Sequence, residues 1–271
     1  MLSPKLRRVV EGWRLPEGRS LIERVDAMIA PALLAGHFGS SATLMVAGAQ
    51  YHLGGEQDTR ELADLAGVSA DDRLLDVACF LGGPALQLAQ ERGCGVTGVD
   101  IRQECVLAGG RIARLAGLDR QARFCQADAR SLPFGDGSFS LVWSQCSLAH
   151  DESWLREFDR VLAQGGRLAF TFDIRKEKTG DAGPRWTLPE VAQVVQGLGY
   201  EITLAQDISE RDVGIGWQAL EAELTLREKE FERALGAPWV RGAREHFAQE
   251  AQAMRDGLWG NGRIVARKKG E

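Results

Sequence analysis

The chain lacks any apolar run near the roughly 20 residues that cross a bilayer, and it has no C-x-x-C pair and no basic stripe. The first absence argues against a membrane-spanning segment. The amino-terminal MLSPKLRRVVEGWRLPEG has basic residues but neither the apolar core nor the cleavage site of a secretory leader, so the chain is expected in the cytoplasm. Its five cysteines, Cys79, Cys94, Cys105, Cys125 and Cys146, stand far apart, with no His pair at ligand spacing. That speaks against a zinc site or disulfide framework and for reduced, buried thiols. An excess of positive charge is lacking too: 33 Lys plus Arg against 38 Asp plus Glu leave a formal net charge of −5. The phosphates of a nucleic acid would find no matching surface. The expected partner is a small-molecule substrate, with no nucleic acid and no membrane, and the chain acts as a monomer or homodimer.

What is present is an alternation of short apolar runs with helical stretches. The 271 residues suit one α/β domain with a helical appendage. Residues 1–56 read as a helical segment covering a cleft, with Leu21-Ile22, Val25, Met28-Ile29 and Leu33-Leu34 at helical spacing. Asp58 to Leu65 reads as a further helix. Seven strand-like runs follow: LLDV (74–77), GVTGVD (95–100), ARFCQAD (122–128), SFSLVWSQ (138–145), GGRLAFTFD (165–173), EITLAQDI (201–208) and GRIVARK (262–268). The spacers between the first five are long enough for crossover helices, such as Pro84 to Glu91 and Glu104 to Leu115. The pattern predicts an α/β fold with a doubly wound, mostly parallel seven-stranded sheet over 57–208 and 260–271. Residues 209–259 read as two amphipathic helices, the first carrying Trp217, Leu220, Leu224 and Phe231, the second Val240, Phe247, Ala251 and Met254. This insertion can serve as a lid over a substrate or simply add a helical layer to the core.

The sharpest local signal is LLDVACFLGGPALQLA (74–89), a strand ending in Asp76, a turn with Gly82-Gly83, and Pro84 where a first helical turn tolerates it. Backbone N–H groups there favour an anionic group, and glycine permits close approach. Eighteen residues past Gly82, Asp100 ends GVTGVD, where a carboxylate can accept both hydroxyls of a ribose; Ile101 follows it. Asp128 is expected to close the third strand and to accept from an exocyclic amine such as adenine's, with Ala129 leaving room for the ring. Each acid also has a plain structural reading: Asp76 and Asp128 as helix caps, Asp100 as an exposed strand-end charge.

Taken in order, strand-Asp76 with its turn, Asp100, Asp128-Ala129 with SLPF, SFSLVWSQCSLAH and EFDRVLAQGGRLAFTFD resemble the class I S-adenosylmethionine-dependent methyltransferases. YHLGG (51–55), VWSQ (142–145), His150, RVLAQGG (160–166) and the WGNGRIVARKK ending are similar to the branch that includes sarcosine/dimethylglycine, phosphoethanolamine and sterol methyltransferases. The resemblance implies a Rossmann-like fold and S-adenosyl-L-methionine as cofactor, with S-adenosyl-L-homocysteine as product. It implies the methionine end near Asp76, Ala78 and Gly82, the ribose on Asp100 and Ile101, the adenine by Asp128 and Ala129, and a wall from Ser144 and Gln145. The chain departs from the family's Asp-x-Gly-x-Gly-x-Gly at two places, where Ala78 and Phe80 stand for glycines. The Phe80 ring must therefore point into the cleft or alter the pocket. A nicotinamide dinucleotide site needs glycine at comparable places, which disfavours it.

Methyl transfer from a sulfonium is an in-line displacement that needs positioning and desolvation rather than metal. A nucleophile that carries a proton needs a base. His150, just past the fourth strand, is the first candidate, and Tyr51 and His52 are the next. Phe80, Trp143 and Trp217 are candidates to line the pocket of an amine or apolar substrate, although Trp143 reads equally well as core. The expected reaction is methylation of an amine or amino-acid-like nitrogen. The alternatives are O- or C-methylation of a natural-product or lipid-like metabolite, and a ligand-binding relative without activity.

Overall fold

The computed structural model describes residues 50, 52–148, 151–176 and 186–270. Apolar runs become strands, those at the centre of the sheet buried on both faces, as in a parallel sheet covered by helices. In chain order the elements are α1 (Gly55–Ala66), β1 (Arg73–Val77), α2 (Gly83–Arg92), β2 (Gly95–Asp100), α3 (Gln103–Leu115), β3 (Ala122–Gln126), β4 (Phe139–Ser144), α4 (Glu152–Val161), β5 (Leu162–Arg175), α5 (Leu188–Gly197) and β6 (Tyr200–Asp207). The chain then passes through α6 (Ser209–Arg211), a π-helix (Asp212–Gln218), α7 (Ala219–Leu226), α8 (Glu228–Leu235) and α9 (Ala237–Arg255) to β7 (Trp259–Lys268).

The sheet has seven strands in the order β3-β2-β1-β4-β5-β7-β6. The first five run parallel, and β7 inserts antiparallel between β5 and β6. Strand order reverses between the paired strands β1 and β4, so the connections that follow them lead to opposite sides, and a crevice opens at their carboxyl ends where such sheets bind ligands. One core, around Leu62, Leu74, Leu86 and Ile112, joins α1, α2 and α3 to one face; another, around Leu75, Phe158, Phe170 and Val195, joins α4 and α5 to the other.

The insertion differs from the two helices read from the sequence. Its first half breaks into the π-helix, α7 and α8, and its apolar residues Trp217, Leu220, Leu224 and Phe231 meet Val240, Phe247 and Met254 of α9 in a third cluster. A π-helical turn at Asp212–Gln218 spreads the hydrogen-bond spacing just where Gly214 and Gly216 remove side chains. Among the described residues no helix is long and apolar enough to cross a membrane.

Candidate functional site

Beyond Val77 the chain turns through Ala78, Phe80 and Gly82, all left-handed, with φ of 58°, 51° and 77°. Alternate positions thus keep the backbone of a glycine turn although two of them carry side chains. Such a conformation costs an L-residue roughly 1–2 kcal/mol, so neighbouring contacts must hold it. The Phe80 N–H donates to Asp100 Oδ2 at 3.0 Å, and the Cys79 N–H to the Val99 carbonyl at 3.0 Å. At Gly82 a side chain is excluded outright, because a Cβ would lie 2.3 Å from the Phe124 ring. The half-buried Phe80 ring packs against the α1–α3 side of the core and lines a cavity there. Its backbone keeps the turn while its ring borders the cleft.

That cavity, of about 40 Å³, is walled by His52, Asp76, Ala78, Phe80, Gln145 and Ser147. It has room for a few waters or one small charged group. Asp76 is 2% exposed and its Oδ2 is buried with no hydrogen-bond partner. Burial, reinforced by the neighbouring Asp100 charge and opposed by the Ala85 N–H, pushes its carboxyl up to about 8. At the next strand end Asp100 Oδ1 accepts the Arg102 N–H at 2.9 Å, while Oδ2 holds Phe80. Desolvation raises this carboxyl too, against those two hydrogen bonds. Each oxygen keeps a further lone pair for a hydroxyl donor. An orphaned buried carboxyl beside a second one fixed by backbone donors fits a dihydroxylated sugar joined to a cationic tail.

Asp128 departs from expectation. Strand β3 ends at Gln126, and Asp128 sits in a turn, bridged to Ser131. Its carboxylate accepts the N–H of Arg130 at 2.9 Å and two guanidinium donors of the same residue, chiefly Nη2 at 2.6 Å. The short acidic side chain satisfies its own turn, which ends the strand early. Ala129 is buried beside it, Ile101 is partly exposed at the end of β2, and Ser144 is wholly buried with its Oγ unpartnered.

Trp143 and Trp217 do not line the cavity. Trp143 is fully buried among Leu62, Leu74 and Leu141, with its indole N–H on Gln145 Oε1 at 3.1 Å. Trp217 packs edge-on to Trp259 and donates to Met254 Sδ at 3.0 Å inside the insertion's cluster. Both large rings are taken up by packing, which corrects their placement as substrate contacts. Tyr51 and His150 lie outside the described residues.

Behind the cavity wall lies a buried polar network with no counterpart in the sequence reading. Its hub is Asp58 of α1, 1% exposed. Asp58 Oδ2 accepts the Gln145 amide at 2.7 Å and lies 3.6 Å from His52 Nδ1, while Oδ1 accepts Arg211 Nη2 at 2.6 Å and Arg263 Nη2 at 2.7 Å. Burial alone would raise this carboxyl, but the hydrogen bond and charge of His52 with the charges of Arg211 and Arg263 hold it below the usual carboxylate range. Arg263, wholly buried on β7, also reaches Glu61 at 2.9 Å. Asn261 holds Asp212 at 2.7 Å, tying the π-helix to the sheet. His52 Nε2 faces Gln50 Oε1 at 3.1 Å and Thr59 Oγ1 at 3.2 Å, and Nδ1 faces the Leu53 carbonyl at 3.2 Å. Its ring nitrogens are thereby engaged by the protein, and Gln145 is fixed by Trp143, Thr59 and Asp58. The one signal that could have revealed the network is the arginine inside the apolar run GRIVARK, since a strand buried on both faces tolerates a charge only with a partner.

Comparison with known proteins agrees with the geometry. The family described as "Methyltransferase domain" matches residues 74–166. The chain is 38% identical over 149 residues to methyltransferase GfsG of Streptomyces halstedii, covering 53% of this chain and 50% of that protein. The match thus spans about half the length of this curated relative. The crystal structure of the [4+2]-cyclase SpnF is 26% identical, covers 93% of this chain and 94% of its own, and superposes with a TM-score of 0.68. The phosphoethanolamine N-methyltransferase 2 of Haemonchus contortus, solved with phosphomonomethylethanolamine and S-adenosylhomocysteine, shares the fold at a TM-score of 0.78. Identity there is 17%, with 94% of this chain and 61% of that one covered. The order of motifs and the seven-stranded sheet therefore meet in one conclusion: residues 74–166 match the methyltransferase-domain family, and the chain shares the seven-stranded α/β fold of that phosphoethanolamine N-methyltransferase.

Proposed function

We propose that the chain is a cytoplasmic enzyme, monomer or homodimer, that methylates a small molecule with S-adenosyl-L-methionine. The observation that carries this reading is the pair of strand-end acids at the crevice: Asp76, buried with an unpartnered oxygen, and Asp100, fixed by two backbone donors. Asp100 would take the ribose hydroxyls, the Ala78–Gly82 turn and Asp76 the methionine portion, and Ile101, Asp128 and Ala129 the adenine side. The cofactor, when bound, supplies an electrophilic methyl group on a sulfonium. The chain's own part is to bind, align and keep water out: the Phe80 ring and the α2 terminus wall the cavity, and Gln145 and Ser147 give it polar groups. No metal is needed for the displacement. His150 remains the leading base by its place in the sequence after β4, with Tyr51 the next candidate; His52, with its nitrogens engaged, serves better as an orienting group. The acceptor is an amine or amino-acid-like nitrogen in the leading reading, and the oxygen or carbon of a natural product or lipid-like metabolite in the alternative.

A second reading is that the chain keeps the cofactor without transferring its methyl group. The match along nearly its whole length to a protein titled a [4+2]-cyclase, and the side chains in the glycine turn, favour considering it. Calorimetry with S-adenosylmethionine and S-adenosylhomocysteine tests both readings: no binding at high micromolar concentration removes them together. Binding without homocysteine release across a panel of amines, phenols and acids leaves the second. In an active enzyme, His150→Ala should lower turnover more than cofactor affinity, and the reverse pattern removes it from the chemistry.

A further inference from the structure

Among the described residues, two side chains belong both to the cavity wall and to the buried network behind it: His52 and Gln145. Gln145 directly follows β4, so the sheet fixes its backbone, but its side chain ends in an amide whose two faces differ chemically. Its neighbours tell them apart. Oε1 accepts the Trp143 indole N–H at 3.1 Å and the Thr59 hydroxyl at 3.1 Å, while Nε2 donates to Asp58 Oδ2 at 2.7 Å. An indole N–H only donates and a carboxylate only accepts, so reversing the amide would set donor against donor at Trp143 and oxygen against oxygen at Asp58. Two of these three partners, Asp58 and Thr59, are neighbours on α1, both buried, and neither lines the cavity. Asp58 is itself held from its far side, where Oδ1 accepts Arg211 of the insertion at 2.6 Å and Arg263 of β7 at 2.7 Å. Arg211 reaches it past Gly54, where a Cβ would lie 2.9 Å from Asp58 Cβ and 3.4 Å from Arg211 Nη2. One amide of the cavity wall is thus oriented from α1, and α1 in turn from the insertion and the last strand.

We propose that Asp58 and Thr59 are positioning residues for the ligand cavity: by holding the Gln145 amide at both ends they set the face it presents to a bound cofactor, although neither touches the cavity. The inference rests on the cofactor reading above and adds to it two residues that lie outside the matched stretch 74–166. An amide free to rotate would have to be ordered when a ligand binds, and a clamp that orders it beforehand removes that cost. Asp58→Asn breaks the clamp selectively. The asparagine has a single acceptor oxygen, which the two guanidinium groups claim by charge, so its NH2 falls against Gln145 Nε2. Thr59→Val removes the hydroxyl from the other end of the amide and leaves every charge in place.

The test is calorimetric titration with S-adenosylhomocysteine of the unaltered chain, Asp58→Asn, Thr59→Val, Gln145→Met and the two doubles that join Gln145→Met to each α1 variant. Urea unfolding of every variant gives its folded population, so that lost stability does not register as lost affinity. Each single substitution should weaken binding about fivefold, the worth of one hydrogen bond. Once Gln145 is replaced, neither α1 substitution should weaken it further, because the group they act through is gone. Affinity within about twofold of the unaltered chain in folded Asp58→Asn and Thr59→Val overturns the proposal, since the network would then serve stability alone. Full additivity in the doubles overturns it too, because the effect of α1 would bypass Gln145. If Asp58→Asn does not fold, Thr59→Val, which keeps the shape and adds no charge, decides by the same two outcomes. Unchanged affinity in Gln145→Met removes the proposal and leaves the cofactor reading standing, whereas failure of the unaltered chain to bind removes both.

Discussion

Removing the charge of Arg263 offers the most direct measure of the buried network, because this side chain joins the last strand to α1 across nearly the whole chain. Its guanidinium is wholly buried and makes two charged contacts, to Asp58 at 2.7 Å and Glu61 at 2.9 Å. Deleting one partner of a buried pair costs about 3–5 kcal/mol, because the other is left unneutralised. Asp58 would keep Arg211 at 2.6 Å and Gln145 at 2.7 Å, and Glu61 is half-exposed and regains water, so the low end applies. Arg263→Met, which retains the volume of the stem, should therefore lose about 3 kcal/mol, a fall in Tm of roughly 6–12 °C for a chain of this size. Urea unfolding gives the free energy, and a cycle with Asp58→Asn separates the pair from the packing. The cycle should show a coupling of at least about 1 kcal/mol, as neighbours sharing a network do. A loss below about 1 kcal/mol for the single variant, or strict additivity in the cycle, would refute the claim that Asp58 depends on Arg263. Arg263→Lys is expected to fall between, since one ammonium does not reproduce a two-armed contact.

Gly82→Ala should cost about 2 kcal/mol or more by denaturant unfolding, since the new methyl meets Phe124 at 2.3 Å on a backbone with φ 77°; an unchanged midpoint would mean that the turn relaxes freely. Asp100→Ala should weaken S-adenosylhomocysteine binding at least about tenfold, some 1.4 kcal/mol, and an unchanged affinity would show that the ribose lies elsewhere. The two buried acids should respond oppositely to pH. Asp58 is held low in the folded chain, so its stabilisation is present above the ordinary carboxylate range and is lost on acidification; Asp58→Asn should flatten the acid limb of a stability profile. Asp76 is raised to about 8, so its ionisation opposes folding increasingly from about pH 4 upward. Asp76→Asn should accordingly stabilise the ligand-free chain at pH 7, by up to about 4 kcal/mol, and destabilisation there would contradict the assigned environment.

How far the sequence discloses these features depends on the distance over which each is determined. Five of the seven strands and the helices α2 and α3 lie within two residues of the runs that predict them, while β5 and β7 begin three residues earlier than theirs. Burial on two faces gives the central strands a continuous apolar signature. Asp76 and Asp100 are legible for the same reason: they end such runs. Asp128 is misplaced by two residues because its side chain serves its own turn, a local competition that hydrophobicity does not record. The insertion is read as too continuous, since a helical period does not distinguish α from π spacing around Gly214 and Gly216. The Asp58–Arg263–Arg211–Asp212–Asn261 network is legible only at Arg263, the charge inside an apolar run. Its members are up to 205 residues apart, and each of the others alone reads as an ordinary surface polar group.

The turn after β1 shows the reverse relation, in which the sequence departs from a pattern and the backbone does not. Glycine at alternate positions would adopt the left-handed conformation at no steric cost, and here Ala78 and Phe80 adopt it anyway. The strain is small beside what enforces it. The Phe80 N–H is needed by Asp100, the Cys79 N–H by Val99, and Gly82 must clear Phe124, so any relaxed alternative would unmake buried hydrogen bonds or a ring contact. The side chains are then accommodated by what lies outside the turn. Ala78 adds a single methyl to the cavity wall, and Phe80 adds a ring that shares its surface between core and cavity. Two glycines can be replaced without altering the path of the chain because that path is dictated by its hydrogen-bond partners. What changes is the shape and polarity of the space around Asp76. The apolar ring at its rim offers the carboxyl no hydrogen bond, in keeping with the neutral acid that burial favours there.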